Sequence, residues 1–389
     1  MQRIDTATRA QNLFGAGKDG FTEGAIGPPR VAATAMSAAW HNAVQEEIAR
    51  VIEAYASELN PADNSQLVRV LRGFVEANWT EATPTGAALI PFDVYAACSL
   101  GPNGGAVIGG TNGYVQVSDD GSGSSWTTVP QQLADPVSGH PDITGLAYNV
   151  AGNMLVAVGK ASGGSGKAAL WWSNDKGITW VQNFYDVPED INAIIYNAAF
   201  GWIAVGNDGL CIKAADPTGA WTSMGNISLG ANLHALAYNA VTGTLLATAD
   251  GAPAQVLTSV DNGVTWAPTP IPGAYDTLYA ACAYGPLFLV AGSGGQMYSS
   301  AGWALLAGVG STVRAMVCAP GGVILAVCDD ASLYSSVDGG ATWTRHYAAR
   351  LPNSLYALAW LTAGSGIGFG WLAAGKNQTL LNSLRIGGV

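Results

Sequence analysis

A mainly β chain closed into a ring of seven four-stranded sheets, preceded by a small helical segment, is the fold that this sequence predicts. Three observations predict it. Seven tryptophans (Trp79, Trp126, Trp180, Trp221, Trp266, Trp303 and Trp343) recur at spacings of 47, 54, 41, 45, 37 and 40 residues, a period that marks a propeller or another repeat array. Four of them close near-copies of one turn. Apolar runs of about five residues, bounded by Gly and Asn, fill the intervals as strands buried on both faces do.

The turn is clearest in Ser173-Asn-Asp175-Lys-Gly177-Ile-Thr179-Trp180, Ser259-Val-Asp261-Asn-Gly263-Val-Thr265-Trp266 and Ser336-Val-Asp338-Gly-Gly340-Ala-Thr342-Trp343. A fourth copy runs from Ser118 through Asp120 and Gly123 to Trp126 with one inserted residue. Before Trp221 and Trp303 the turn has decayed and only the tryptophan remains. Asp accepts hydrogen bonds from turn amides, Gly supplies a positive φ, Thr favours the strand and Trp packs between sheets. Asp120, Asp175, Asp261 and Asp338 are therefore read as structural. The pattern resembles the Asp-box, or BNR, repeat of sialidases, sortilin-type receptors, photosystem assembly factors and assorted secreted and phage proteins. That resemblance implies an Asp-box β-propeller whose turns lie opposite the usual binding face, and it says little about function.

Each repeat has one order. An inner apolar strand comes first, as in Ile143–Tyr148, Leu233–Tyr238, Leu278–Tyr284 and Leu355–Trp360; a turn follows at Asn149, Asn197 or Asn239. A second strand ends in Gly (Gly159, Gly206, Gly292), a third leads into the turn, and the tryptophan opens a fourth. Inner strands begin near residues 94, 143, 191, 233, 278, 313 and 355, which makes a seven-bladed β-propeller. The last blade has three strands of its own. Asn78-Trp79-Thr80 resembles Thr342-Trp343-Thr344, so the strand around Trp79 is expected to complete that blade and seal an otherwise exposed edge. The domains are thus 1–76, a helical segment with a Gly-rich arm, and 77–389, the propeller.

Composition narrows the function classes. Charged residues make up 11% of the chain, the formal net charge is −11, and nine Lys or Arg occur from residue 80 onward, which excludes a basic nucleic-acid-binding surface. Cys98, Cys211, Cys282, Cys318 and Cys328 sit inside apolar strand patterns without metal-ligand spacing and read as buried free thiols. The histidines are scattered, so no metal site and no cofactor are expected. The first 20 residues show no signal peptide. The uncharged stretch from Leu351 to Gly375 aligns with the paired strands of other blades and reads as a hairpin, not a membrane span.

Residues 1–76 have a different texture. The arm Asn12–Gly24 holds Gly15, Gly17 and Lys18 without the phosphate-loop pattern. A helix is expected over Thr34–Ser57, with Trp40, Val44, Ile48, Val51, Ile52 and Tyr55 on one face. Asn60-Pro61-Ala-Asp63 starts a second, with a stripe of Leu67, Leu71, Phe74 and Val75. Two such faces make a thin core that calls for a partner, a second copy, or the underside of the propeller. Arg3-Ile-Asp, Asn12-Leu-Phe-Gly-Ala-Gly-Lys-Asp-Gly-Phe, Ala39-Trp-His-Asn-Ala-Val-Gln-Glu-Glu-Ile48 and Asn60-Pro-Ala-Asp-Asn-Ser-Gln-Leu67 resemble the N-terminal segment of tailed-phage tail-fibre and baseplate-attached proteins. This resemblance implies attachment of residues 1–76 to other tail or baseplate proteins, and a downstream part that meets a host receptor. It also implies a homo-oligomer, commonly a trimer, in a virion assembled in the host cytoplasm.

Trp79 opens a fourth strand, so the N-terminal segment is expected below, on the Asp-box side, leaving the top face free. Top-face loops are expected at Pro130–Asp142, Gly159–Ala168, Gln182–Asp190 and Ala267–Asp276. They carry His140, Phe184, Tyr185, Asp186, Glu189, Asp190, Tyr275 and Asp276, whose rings and carboxylates suit sugar recognition. A sialidase-like enzyme needs three arginines spread over the blades, and no arginine lies between Arg72 and Arg314. The reading is a non-enzymatic receptor-binding protein. The alternatives are a structural hub or spacer of the tail and a glycan-degrading hydrolase.

Overall fold

In the computed structural model the chain divides into two units, Met1–Asn78 and Trp79–Val389. The structure describes residues 43–49, 79–81 and 92–383, the last apart from 102–104, 119–125, 130–132, 134–138, 161–167, 186–188, 228–229, 252, 274–276, 320–321, 348–352 and 362–369. In the first unit residues 43–49 are helical, inside the longer helix expected over Thr34–Ser57. The remainder of that helix, the second helix and the Gly-rich arm lie outside the described residues.

The second unit is a seven-bladed β-propeller. Seven antiparallel four-stranded sheets have inner strands at Val94–Ser99, Ile143–Asn149, Ile191–Asn197, Leu233–Asn239, Leu278–Tyr284, Val313–Cys318 and Leu355–Leu361. We number the blades 1 to 7 in that order. Blades 1 to 6 use consecutive strands; in blade 7 the outer strand is Trp79–Glu81, with Trp79 opposite Ser383 and Glu81 opposite Leu381. Hydrogen bonds also tie blade 7 to blade 1, from Gln378 N to the Phe92 carbonyl (2.7 Å) and from Gln378 Nε2 to Gln116 Oε1 (2.6 Å). A ring joined this way offers no free sheet face between its first and last blades.

The core lies between blades. One cluster joins Trp202, Ile212 and Trp221 of blade 3 to Val156, Val158 and Leu170 of blade 2; another joins Leu372 and Leu380 of blade 7 to Val94 and Ile108 of blade 1. Second strands such as Ala106–Gly110 and Gly370–Gly375 are buried throughout, which is why they read as unbroken apolar runs. Leu355–Leu361 and Gly370–Gly375 pair as the hairpin expected there. All five cysteines are free; three are buried and Cys98 and Cys318 half-buried.

The repeated turns sit between third and fourth strands of blades 2, 4 and 6. In blade 2 Asp175 Oδ1 accepts the Ile178 and Thr179 amides (3.1 and 2.9 Å) and the Ser173 hydroxyl (2.7 Å), Thr179 Oγ1 donates to Oδ2 (2.6 Å), and the Trp180 indole donates to the Gly177 carbonyl (2.8 Å). Asp261 and Asp338 repeat the arrangement. The glycines take φ of 90°, 83° and 87° at Gly177, Gly263 and Gly340, where a side chain is strained. The bonds, led by that of the Thr265 hydroxyl, hold the Asp261 carboxyl down at about 2; at Asp175 and Asp338 burial opposes them and they still win, lowering both. Trp126, Trp180 and Trp221 are buried, and Trp79, Trp266, Trp303 and Trp343 half-buried. Asp120 lies outside the described residues.

Candidate functional site at the channel mouth

Every inner strand carries a β-bulge at its second residue. In blade 1 Val94 pairs with Gly110 and Ala96 with Gly109, leaving Tyr95 without an opposite residue. The same irregularity leaves out Thr144, Asn192 and His234 in blades 2 to 4, and Tyr279, Arg314 and Tyr356 in blades 5 to 7. A bulge re-aims the extra side chain. Here it turns seven half-buried residues, each preceded by a buried apolar one, into one ring around the channel.

The ring lines a cavity of about 200 Å³. Beneath it runs a collar of small residues (Ala96, Gly145, Ala193, Ala235, Ala280, Ala315 and Ala357), and then Leu146, Ile194, Leu236, Met316 and Leu358. The mouth is therefore polar and aromatic at its lip and apolar inside, the combination usual in ligand sites.

Two arcs differ in what their side chains do. Thr144 Oγ1 donates to the Ile191 carbonyl, and Asn192 Nδ2 donates to the Leu233 carbonyl (2.8 Å) and to Asn207 Oδ1 (2.8 Å), so blades 2 and 3 use ring residues to clasp the next blade. From blade 4 round to blade 1 the ring is aromatic and cationic. His234 meets Tyr279 edge to face (5.2 Å), the Arg314 guanidinium lies 4.3 Å from the Tyr279 ring centre, and Tyr356 meets Tyr95 at 5.4 Å. Lys160 Nζ stands 5.8 Å from the Tyr95 ring centre. Burial first, then Asp142 and Asp93, push the Tyr95 phenol up to about 12, so it keeps its proton. Burial lowers the His234 imidazole against the pull of Asp250, 3.7 Å away, so it is neutral near pH 7.

The carboxylates at the lip have structural partners. Asp142 accepts the Asn112 amide (3.1 Å) and pairs with Lys160 (2.7 Å); Asp93 accepts the Asn377 amide (2.9 Å); Asp329 holds Arg314 through Nε and an Nη, both at 2.8 Å. The donor amides belong to turns whose central residue is left-handed, with φ of 56° at Asn112 and 51° at Asn377, which favours Asn, Asp or Gly.

The structure distributes the expected contact residues unevenly. His140 is exposed, and Glu189 and Asp190 are half-buried, with Asp190 two residues before the ring residue Asn192. Phe184 and Tyr185, expected in a loop, end the outer strand Val181–Tyr185, which pairs with Ala168–Ser173. Ala267–Pro270 is likewise an outer strand rather than the start of a loop. In both places the pairing of the third strand extends past the tryptophan far enough to capture them. Asp186, Tyr275 and Asp276 lie outside the described residues. The ring itself was not anticipated. A signal for it exists in the aligned inner strands: between an invariantly apolar first position and a small third one, the second reads Tyr, Thr, Asn, His, Tyr, Arg, Tyr. Among the described residues no cluster of His, Cys, Asp or Glu fits a metal ion, and no helix is long and apolar enough to cross a membrane.

The fold is that of a seven-bladed propeller, and known structures resemble it in fold. YCF48 bound to a D1 peptide is similar with a TM-score of 0.61 and 14% identity, over 79% of this chain and 97% of that one. The WD40 propeller domain of Doa1 gives 0.58 and 11% over 78% and 96%, and the GH74 xyloglucanase of Xanthomonas campestris 0.60 and 16% over 79% and 53%. At such identities the likeness is one of fold alone. No family model matches the chain. In sequence, 77 residues are 39% identical to the uncharacterized protein StfP of Escherichia coli (strain K12), 19% of this chain and 35% of that protein, so the chain covers about a third of that relative's length.

Proposed function

We propose that this chain is a tail-fibre or baseplate-attached receptor-binding protein of a tailed phage. In this reading residues 1–76 attach it to other tail proteins, and the channel mouth of its Asp-box propeller contacts a glycan or protein of the host surface. The observation that carries the binding role is the ring: seven like backbone bulges present five kinds of side chain to one cavity. A scaffold position needs no such variety. The phage assignment draws on the N-terminal motifs, and the 77-residue similarity to StfP adds a relative without a function of its own. A propeller of the same layout, YCF48, is recorded with a peptide. Binding without catalysis is supported by the lip carboxylates Asp93, Asp142 and Asp329, each committed to an amide or a cation. The protein is expected to be an oligomer in the virion, which light scattering of the full chain measures directly.

Fluorescently labelled full-length protein applied to a panel of bacterial strains tests this. The expected result is binding to some strains, reduced at least tenfold by the double substitution Tyr279→Ala, Tyr356→Ala and kept by Asp338→Asn. Equal binding by all three proteins would remove the mouth from recognition.

A structural hub is the second reading, and one observation favours it. On the rim opposite the mouth, blades 2 and 4 expose Val150, Ile178, Val241, Val260 and Val264, with Val260 80% and Val241 72% exposed. Apolar side chains grouped on one rim suit a protein contact. The hub predicts that Val241→Asp with Val260→Asp blocks assembly of tails while mouth substitutions leave it intact.

A further inference from the structure

We infer that the channel mouth takes a single neutral sugar ring, end on, from the terminus of a glycan chain; the inference rests on the mouth being the recognition site. Three features of the ring carry it.

The first is charge. Among the described residues two cations reach the aromatic arc, and each is already matched: Arg314 by the two-pronged bond to Asp329, Lys160 by Asp142 at 2.7 Å. An acidic ligand would have to displace a carboxylate from a charge-assisted bond, which is among the stronger bonds available. A cationic ligand would compete for carboxylates that already hold the Asn112 and Asn377 amides. A neutral ligand disturbs neither.

The second is surface. Tyr95, Tyr279 and Tyr356 bring three phenol rings to one side of a mouth whose other side is short and polar at Thr144 and Asn192. Phenols offer an apolar face and a hydroxyl on one body, and a pyranose offers the counterpart, a ring of C–H groups edged by hydroxyls. Tyr95 keeps its proton and so remains a donor.

The third is size. About 200 Å³ lies below the roughly 300–1,000 Å³ of pockets that enclose larger ligands. The volume matches one sugar ring within the mouth, and the apolar floor of Leu146, Leu236 and Met316 offers nothing to the hydroxyls of a second ring placed deeper. The chain bearing that ring must leave upward through the lip, so the terminal residue is the one read.

The experiment is saturation-transfer NMR on the full chain. The probes are neutral methyl pyranosides (gluco-, galacto-, manno-, rhamno- and N-acetylglucosaminide) beside methyl glucuronate and N-acetylneuraminate. Transfer to the ring protons of at least one neutral glycoside is expected, falling at least tenfold in Tyr356→Ala and retained in Tyr356→Phe, with near-ultraviolet circular dichroism confirming that both fold. The acids are expected to give at least tenfold less. No transfer to any neutral glycoside, or equal transfer to the acids, overturns the inference. If strain binding is lost in Tyr279→Ala, Tyr356→Ala while no pyranoside binds, the mouth recognises another chemistry and this inference alone fails. If strain binding survives that substitution, both readings fail.

Discussion

The two rims of the propeller repeat different things. At the turn rim the residues repeat: Ser173, Ser259 and Ser336 each bond the aspartate two places on, and each indole closes on the glycine three places back. At the mouth the backbone repeats and the residues change, with one bulge per blade and a different set of side chains around it. A position that keeps its residue type from blade to blade serves local folding, because each turn satisfies itself. A position that keeps its geometry and changes its residue can be put to different uses: Thr144 and Asn192 clasp the next blade, whereas the aromatic arc from Tyr279 round to Tyr95 lines the cavity and is available to read something outside. If that contrast is sound, substitutions in the frame cost stability and leave recognition alone, and substitutions in the aromatic arc of the mouth do the reverse.

The largest expected stability effect is in the frame beside the mouth. Gly206 has an extended φ of −160°, so its need for glycine is one of space: a Cβ there would lie 1.9 Å from the Asp190 carbonyl oxygen. That carbonyl accepts the Asn207 amide at 2.9 Å, and backbone cannot swing aside as a side chain does. Gly206→Ala is expected to cost about 3 kcal/mol, at the upper end of overpacking losses. The urea midpoint measures it, and an unchanged midpoint would show that blades slide more freely than this close packing allows.

Next comes a pH effect from one buried ring. His346 is buried in the outer strand of blade 6, hydrogen-bonded to Ser335 at 2.8 Å, and burial lowers its imidazole to about 4. Its folded value lies below its unfolded 6.5, so protonation favours the unfolded chain. Stability from this group is whole above pH 6.5 and is lost as pH falls through 4, by up to about 3 kcal/mol. His346→Gln is expected to flatten the stability curve in that window. Asp261 acts lower: with a folded value of about 2, its contribution persists above the ordinary carboxylate range and disappears as pH falls through 2. A variant that loses stability as steeply as the parent between pH 6.5 and 4 would put the acid sensitivity elsewhere.

A smaller effect tests the turn rim itself. Asp338→Ala removes the acceptor of the Thr342 amide and of the Ser336 and Thr342 hydroxyls, but the site is open to water, which replaces part of what is lost. A destabilisation of about 1–2 kcal/mol is expected, with strain binding unchanged. Loss of binding in a folded Asp338→Ala protein would break the contrast between the rims.

Much of this frame was legible in the chain because it is repetitive. Tryptophan spacing and the runs beginning at Val94, Ile143, Ile191, Leu233, Leu278, Val313 and Leu355 mark seven inner strands, and they begin there in the structure. Glycines with positive φ were legible at Gly177, Gly263 and Gly340, where a turn motif states its backbone need. The mouth was not. Its residues are scattered over 262 positions from Tyr95 to Tyr356, one per blade, and a bulge has no sequence mark beyond a polar residue set in an apolar strand. Phe184 and Tyr185, expected in a loop, are themselves β-prone aromatics and carry the outer strand further than the turn pattern suggests. Nor does anything near His346 mark it for burial, since a lone histidine between Arg345 and Tyr347 carries no apolar pattern.

The smallest stability effect belongs to the mouth and sharpens the comparison most. Tyr279→Phe keeps the ring that meets His234 at 5.2 Å and lies under the Arg314 guanidinium at 4.3 Å, and it removes one hydroxyl. Phenylalanine keeps both ring contacts and gives up only the hydroxyl's interaction with the Arg314 guanidinium, which Asp329 still holds, so stability is expected to fall by no more than about 0.5 kcal/mol. Recognition is expected to weaken several-fold, because a ligand hydroxyl that loses its partner in a half-buried site gets back little from water. Thermal unfolding and strain binding, measured on one preparation, separate the two. If the melting temperature drops while binding holds, the hydroxyl belongs to the frame, and variation around the mouth reflects seven local packing solutions rather than one shared ligand.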